Sequence, residues 1–498
     1  MHYPVVIIGS GFAGRTIASY FAPEDCLILE RGEKLDYGAA IERARRALSE
    51  GKSLAEAEAL AYQSRLPWNQ TPRLSGYNYS RYALVGGGSS NWWGGKCSRL
   101  SSYVFEARDT LPWLLSRQEM EPYYALAERT LNVSGDPVMA EGEPVSAMPG
   151  AAYWRNALSP HFGRNHIYNV AINHGKAGQH GQGTCTGRSA CAICYNDAKA
   201  RPDNIFAEQN ILYESMVTEI IFDGERARSV QVYNGREVFE VTFDTLIVAA
   251  NGLESPRLLA RSSLPSAVKR EWIGKHLQDH AHFALTCKIP GQLAFRNLGG
   301  LAHLQIKELS RPWSSREGEI ETGVLALTHP VFEPQVYASG VNLGRLERLD
   351  DGAARRLLTE DFRGVFRLYG ELEITPALGG EVNLETECAH VIDERTYPRA
   401  IRAFDEVLDQ IKAEVRSRGI QILKEDTWYR GGYGGHHFCG TLNMSDSERS
   451  VVDGNAKLIG TENVYCAGAS IVPRSGGVAP TLTLVALAHR LGQHLCRN

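Results

Sequence analysis

Val5-Val6-Ile7-Ile8 is an unbroken apolar, β-branched run near the start of the chain. Such a run predicts a strand buried on both faces. A second run, Cys26-Leu27-Ile28-Leu29, ends in the acid Glu30, and a third covers Leu246-Ile247-Val248-Ala249-Ala250. Elsewhere the period lengthens. Residues 39–62 and 117–132 carry apolar positions near helical spacing, and 39–62 reads as one surface helix. Ile401, Val407, Ile411 and Val415 recur at three-to-four spacing and predict an amphipathic helix over 399–419. A last helix is expected over 479–495. Residues 293–384 hold many β-branched and aromatic residues between turns, as strands do. Residues 68–82 and 141–150 read as loops. No internal repeat is present.

The first run leads straight into Gly9-Ser10-Gly11-Phe12-Ala13-Gly14, a G-x-G-x-x-G turn, and then into a helical pattern from Arg15. The first glycine permits the tight turn, the second lets backbone approach a pyrophosphate, and the third lets helix pack on strand. The helix start then faces the phosphates, and Glu30 at the end of the second strand can accept from ribose hydroxyls. Strand, turn, helix, strand and acid in this order predict a dinucleotide site. The turn alone does not separate FAD from NAD. Leu84 to Gly95 adds five glycines and two tryptophans in twelve residues. Such a loop suits a flat ring lying against backbone.

Composition narrows the class. The chain has 498 residues, 43% hydrophobic and 22% charged, the balance of a globular protein rather than a disordered or fibrous chain. The net charge is −4. Binding along a phosphate backbone favours a basic surface, so nucleic acid is not the expected partner. No run of 18 apolar residues predicts a membrane-spanning helix. No signal peptide is recognised at the N-terminus, so a cytoplasmic location is expected, with export on a signal-bearing partner subunit as the other route. Ten cysteines are present, three of them within ten residues.

The C-terminal block carries a family resemblance. His436-His437-Phe438-Cys439-Gly440-Thr441-Leu442-Asn443-Met444 resembles the H-x-x-G-T-x-x-M segment of the GMC (glucose–methanol–choline) flavin oxidoreductases. Asn463 to Ser470, Pro473 to Gly477 and Pro480-Thr481-Leu482-Thr483-Leu484 follow in that family's order. Gly86 to Trp92 resembles its flavin loop, and Gly274-Lys275-His276-Leu277-Gln278-Asp279-His280 its G-x-x-L-x-D-H segment. Details within these segments resemble the pyranose oxidase and FAD sugar dehydrogenase branch. The resemblance implies an α/β fold: a Rossmann-like FAD domain and a second α+β substrate domain built on an antiparallel sheet, both discontinuous. The implied divisions are 1–100, 195–285 and 445–498 for the first, and 101–194 and 286–444 for the second. FAD contacts are implied at Gly9, Gly11, Phe12, Ala13, Gly14, Glu30, Arg31, Gly87, Ser89, Asn91, Trp92, Val217, Ala250, Gly468, Ala469, Pro480 and Thr481. Pyranose oxidases attach the flavin to a His where Asn91 stands, and Asn cannot form that bond, so non-covalent FAD is expected.

His437 aligns with the family's catalytic base, and imidazole suits proton abstraction from an alcohol near neutrality. His436, its neighbour, would point the opposite way on an extended segment. The family's second His or Asn is replaced by Ala479, so His436, Tyr433 or Asn443 is the expected substitute. Trp92, Trp93, Trp428, Tyr429 and Tyr433 are candidate pocket walls. Cys185, Cys191 and Cys194 form C-x5-C-x2-C, which fits a [3Fe-4S] cluster, a [4Fe-4S] cluster with a distant fourth ligand, zinc, or plain thiols. His166, His174 and His180 are spaced too irregularly for a metal site. The expected activity is oxidation of a CH–OH group of a sugar, glycoside or other polyol. Electrons then pass to a cluster, a quinone or a small partner subunit. The alternatives are an oxidase releasing hydrogen peroxide and, prompted by Ala479, a redox-neutral lyase or isomerase.

Overall fold

The computed structural model describes the chain except residues 53, 70–83, 109–110, 134–150, 164–165, 174–181, 185–193, 195, 290–302, 328–364, 386–394, 396, 432–433 and 498. The strands of the N-terminal half are β1 (His2–Ile8), β2 (Cys26–Leu29), β3 (His166–Ile167), β4 (Ile211–Leu212), β5 (Met216–Asp223), β6 (Arg226–Tyr233) and β7 (Val238–Val248). The remainder are β8 (His280–Lys288), β9 (His303–Gln305), β10 (Pro312–Ser315), β11 (Gly318–Leu327), β12 (Val365–Glu373), β13 (Gln421–Thr427) and β14 (Val464–Cys466). They form two sheets.

The first sheet runs β4-β2-β1-β7-β6-β5, with β14 also on β7. Strands β1, β2, β4, β7 and β14 are parallel, while β5 and β6 return antiparallel. The three apolar runs are its centre: Val6, Ile7, Ile28, Leu246 and Ile247 are fully buried. In register, Ile8 lies beside both Leu29 and Val248. The strands therefore end level, and Gly9, Glu30, Ala249 and Ala467 gather at their carboxyl ends. In open α/β sheets ligands bind in the crevice just outside that edge. The helix Phe12–Ala18 packs against the last helix, Thr481–Leu495.

The second sheet, β13-β8-β12-β11-β9-β3 with β10 on β11, is antiparallel throughout. Side chains alternate between the faces of a strand. One face presents Phe283, Leu285, Phe366, Leu368 and Leu372 in the core that also holds the apolar stripe of helix Pro398–Ser417. The opposite face presents His280 and His282 from β8 and Arg367, Tyr369, Glu371 and Glu373 from β12. These residues are almost all buried as well. A sheet with one polar face kept from water is costly unless every group is bonded, and that face is where function is sought.

The predicted helices over 117–132, 399–419 and 479–495 are found as Arg117–Thr130, Pro398–Ser417 and Thr481–Leu495. The single helix expected over 39–62 is instead two, Tyr37–Ser49 and Leu54–Ala61. Gly51, at φ +81°, breaks the run. Nor is it only a surface element, because Ala40, Ile41, Ala44 and Ala57 are buried in a small core of their own. The loops expected near 68–82 and 141–150 fall largely or wholly outside the described residues.

Candidate active site

The dinucleotide turn is built by contacts too close for side chains. A Cβ on Gly14 would sit 2.0 Å from the Gly9 carbonyl oxygen, and one on Gly9, itself at φ +104°, 2.6 Å from that of Ala249. Glu30 Oε2 accepts from the Ser10 amide at 3.0 Å and the Ser10 hydroxyl at 2.5 Å, and Oε1 accepts from Gly32 N at 2.8 Å. That leaves acceptor capacity at Oε1 for a ribose hydroxyl. Burial raises the carboxyl's pKa against these bonds. The Ser10 hydroxyl also accepts from Gly87 N at 2.8 Å, and Ser90 Oγ accepts from Phe12 N at 2.9 Å. The glycine-rich loop with Ser89 is thereby laced onto the turn. Gly468, at φ +90°, faces Ala13 across open space, where an added Cβ would meet nothing nearer than 3.9 Å. Room there, a buried acid and glycines pressed on backbone fit a bound flavin dinucleotide.

Other residues of the implied FAD set lie around this edge. Ala250 precedes helix Asn251–Arg261, Ala469 follows Gly468, and Pro480 and Thr481 begin the last helix. Val217 is buried in β5, two residues past Ser215, whose amide donates to the Glu30 carbonyl. Arg31 donates to Asn69 Oδ1. Asn91 turns back on its own loop, donating to the Gly86 and Gly88 carbonyls at 2.8 and 3.2 Å. Trp92 stacks on Tyr62 at 5.8 Å, while Trp93 packs edge-on to Phe12 and donates to the Ala200 carbonyl.

The candidate base stands where the two sheets meet. Residues 434–439 run antiparallel to 278–281, with bridges Gln278–Cys439 and Ala281–Gly434. His437 and His280 are therefore cross-strand neighbours, and their Nδ1 atoms are 2.8 Å apart. His280 Nε2 lies 2.6 Å from the Gly476 carbonyl oxygen. The Asp279 carboxylate clamps the ladder by accepting from the amides of His280 (2.7 Å), His437 (2.7 Å) and His436 (3.2 Å). Burial nevertheless pushes its pKa up to about 6. Two successive amides can reach one carboxylate because His436 is left-handed, at φ +59°. The extended conformation expected at His436 is thus replaced by a kink. Burial, reinforced by the adjoining His280, pushes the His437 pKa down to about 3. Its ring is partly exposed, and no described residue bonds its Nε2.

Beside the pair, the polar face of the second sheet closes its own circuits. Lys96 reaches Glu371 at 2.6 Å and lies over the Tyr369 ring at 4.1 Å. Tyr369 Oη is 2.5 Å from His282 Nδ1. Burial opposes ionisation of Glu371, but the Lys96 ammonium outweighs it and holds the carboxyl well below the usual range. Burial holds His282 neutral. Donor atoms of Asp279, His280 and His437 come within 4.8 Å of one another. The Asp279 carboxylate, both nitrogens of His280 and Nδ1 of His437 are already engaged in the bonds above, which favours a proton network over a metal cage.

The sequence-predicted site residues divide accordingly. His437 stands at the junction. His436 adjoins it, with its ring edge-on to Phe438. Asn443 is not brought to the ring: it accepts from Ser445 Oγ and donates to the Arg449 carbonyl inside a buried turn. Tyr429 belongs to the core and donates to Asp405, whereas Trp428 is 5.8 Å from Tyr369. Of the three clustered cysteines, Cys194 is buried and its sulfur accepts from Ala198 N. Cys185, Cys191 and Tyr433 lie outside the described residues. Sequence reasoning missed Lys96, His282, Tyr369 and Glu371 and gave His280 no role. The signal was there: Arg367-Leu-Tyr369-Gly-Glu371-Leu-Glu373 and His280-Ala-His282 place polar groups at every second residue.

A dinucleotide turn at the edge of a mostly parallel sheet, together with a histidine pair at the end of a second, polar-faced sheet, fits the class of flavoprotein oxidoreductases. The chain belongs to the GMC oxidoreductases, a family that binds FAD, whose two models match residues 78–282 and 385–488. It is 25% identical to 6'''-hydroxyparomomycin C oxidase of Streptomyces lividus, over 100% of this chain and 92% of that protein. It is 22% identical to the fructose dehydrogenase large subunit of Gluconobacter japonicus, over 98% and 96%. The fold is shared with pyridoxine 4-oxidase from Mesorbium loti, at a TM-score of 0.59 and 17% identity, covering 100% and 99% of the two chains. Among the described residues no helix is long and apolar enough to cross a membrane.

Proposed function

We propose that the protein oxidises a CH–OH group of a sugar, glycoside or related polyol, with His437 as the base. The observation that carries this reading is a half-buried His437 whose pKa is pushed down to about 3, held between Asp279 and His280. Its Nε2 takes the hydroxyl proton as the substrate carbon is oxidised. Bound FAD supplies the acceptor for the hydride, so the two electrons and one proton removed from the carbon–hydrogen bond are accounted for. Gly9, Gly11, Phe12, Ala13, Gly14, Glu30, Gly87, Gly468 and Ala469 hold the cofactor without a covalent bond. Tyr369, His282, Glu371 and Lys96 offer a wall of donors and acceptors suited to a polyhydroxylated substrate. Full-length relatives named for an aminoglycoside and for fructose support that class.

Two exits for the electrons are supported by different observations. The C-x5-C-x2-C spacing of Cys185, Cys191 and Cys194, and a relative named as the large subunit of a dehydrogenase, favour a cluster, quinone or partner subunit. The relatives named as oxidases favour oxygen, with hydrogen peroxide as product. Peroxide formed in step with product decides for oxygen. Protein purified without air that contains neither iron nor sulfide ends the cluster route. The redox-neutral alternative rested on Ala479 leaving His437 without a partner, and the 2.8 Å contact between the Nδ1 atoms of His437 and His280 supports the oxidative reading over it.

A further inference from the structure

We infer that His280 is a positioning residue that fixes the tautomer of His437, leaving the lone pair on Nε2; this rests on the reading of His437 as the base. The argument starts at Gly476. A carbonyl oxygen only accepts, so at 2.6 Å the Nε2 of His280 carries the proton it donates. In the neutral ring the other nitrogen is then a bare acceptor. His437 Nδ1, 2.8 Å away, must supply the hydrogen between them. A neutral His437 protonated at Nδ1 has its lone pair at Nε2, the nitrogen that no described residue bonds.

The anchor of this chain of bonds is itself immobile. The Gly476 amide donates to Glu373 Oε1 at 3.1 Å, and the Gly477 amide to Glu321 Oε2 at 2.9 Å. Arg474 holds Glu373 through Nε at 2.7 Å and Nη2 at 2.8 Å, and both side chains are buried. Glu373 lies opposite His280 in the β8–β12 register. Gly477 and Gly323 pack so closely that a Cβ on Gly323 would come 1.9 Å from the Gly477 carbonyl oxygen. The carbonyl therefore cannot swing away, and the polarity of the two imidazoles is set by backbone.

When His437 takes the substrate proton, Nε2–H forms and Nδ1–H stays bonded to His280 Nδ1. The new positive charge lies near Glu371, one of the groups whose charge favours it. The proton leaves from Nε2, on the exposed side, and His280 does not relay it. The groups that face the pair are Asp279, His282, Glu371, Lys96 and Tyr369.

The test is nitrogen NMR of holoenzyme labelled with 15N-histidine, with His437 assigned by its loss in His437→Gln. The expected spectrum shows a protonated Nδ1 and an unprotonated Nε2 for His437 at neutral pH. The reverse pattern overturns the inference, whether or not His437 is the base. The second arm replaces His280 by Leu and by Gln, whose amide oxygen can accept from Nδ1. Anaerobic flavin reduction should fall at least 100-fold in His280→Leu with substrate saturation little changed, and Gln should restore a good part of it. Equal rates in the two variants overturn the positioning role. Undiminished flavin reduction in His437→Ala instead removes the base assignment and leaves the tautomer result standing.

Discussion

A base has to be unprotonated when its substrate arrives, and His437 meets that condition through its surroundings. Burial and the adjoining His280 carry its pKa down to about 3, far from the ordinary imidazole value near 6.5. Substrate-driven flavin reduction should therefore stay level from about pH 8 to about pH 5. Stopped-flow rates across that range check this, and an acid limb centred near 6.5 would contradict it. Asn91 gives a second prediction at this scale. Its amide is used to tie the Gly86 and Gly88 carbonyls, and Asn forms no bond to a flavin ring. Acid precipitation should release all the flavin into the supernatant; flavin retained in the pellet contradicts non-covalent binding.

At the scale of elements, the active site is a joint between segments with no spare space. The start of helix Asn251–Arg261 presses on the strand that carries His437: a Cβ on Gly252 would sit 1.9 Å from the Phe438 carbonyl oxygen. Thr441 adds a bond to the Gly252 carbonyl at 2.7 Å. Gly252→Ala should cost about 1–3 kcal/mol of stability, as overpacking does. It should also lower turnover more than it raises KM, because it shifts the base rather than the substrate wall. Thermal unfolding with steady-state kinetics checks both, and an unchanged kcat would show that the joint has slack. The elements themselves were legible where local pattern decides. The buried runs at Val5, Cys26 and Leu246, the G-x-G-x-x-G turn and the stripe of helix Pro398–Ser417 follow from periodicity alone. The partner of His437 was not legible, since 157 residues separate it from His280 and only the pairing of 278–281 with 434–439 joins them. The kink at His436 escaped for a related reason: its left-handed backbone answers to Asp279, a contact no local signal announces.

For the whole molecule, burial sets two groups of titrating residues against each other. The folded pKa values of His437 (about 3), His489 (about 4) and His282 are depressed. Their contribution to stability is complete above the unfolded value near 6.5 and is lost as pH falls toward the folded values. Asp279 (about 6), Glu321 (about 7) and Glu30 are raised by burial. They act oppositely: the folded state binds more protons, so their contribution is present at low pH and lost as pH rises between about 4 and 7. From about pH 6.5 to 4.5 the two sets largely cancel. Below about 4.5 the acids have nothing more to add. The histidines still disfavour the fold, and Glu371, whose folded pKa is depressed, joins them. The melting temperature should be nearly flat between about pH 6.5 and 5 and drop steeply below about 4.5. A steep fall already between 6.5 and 5 would mean that the buried histidines dominate alone.

The most direct test of the proposed chemistry is an anaerobic panel of sugars, glycosides and polyols mixed with the purified holoenzyme while the flavin's visible band is followed. At least one such compound should bleach the flavin and yield the matching carbonyl product. His437→Ala, with its FAD intact, should do so at least 100-fold more slowly. Bleaching at the wild-type rate in His437→Ala, or product formed with no electron acceptor and no flavin reduction, would contradict the account.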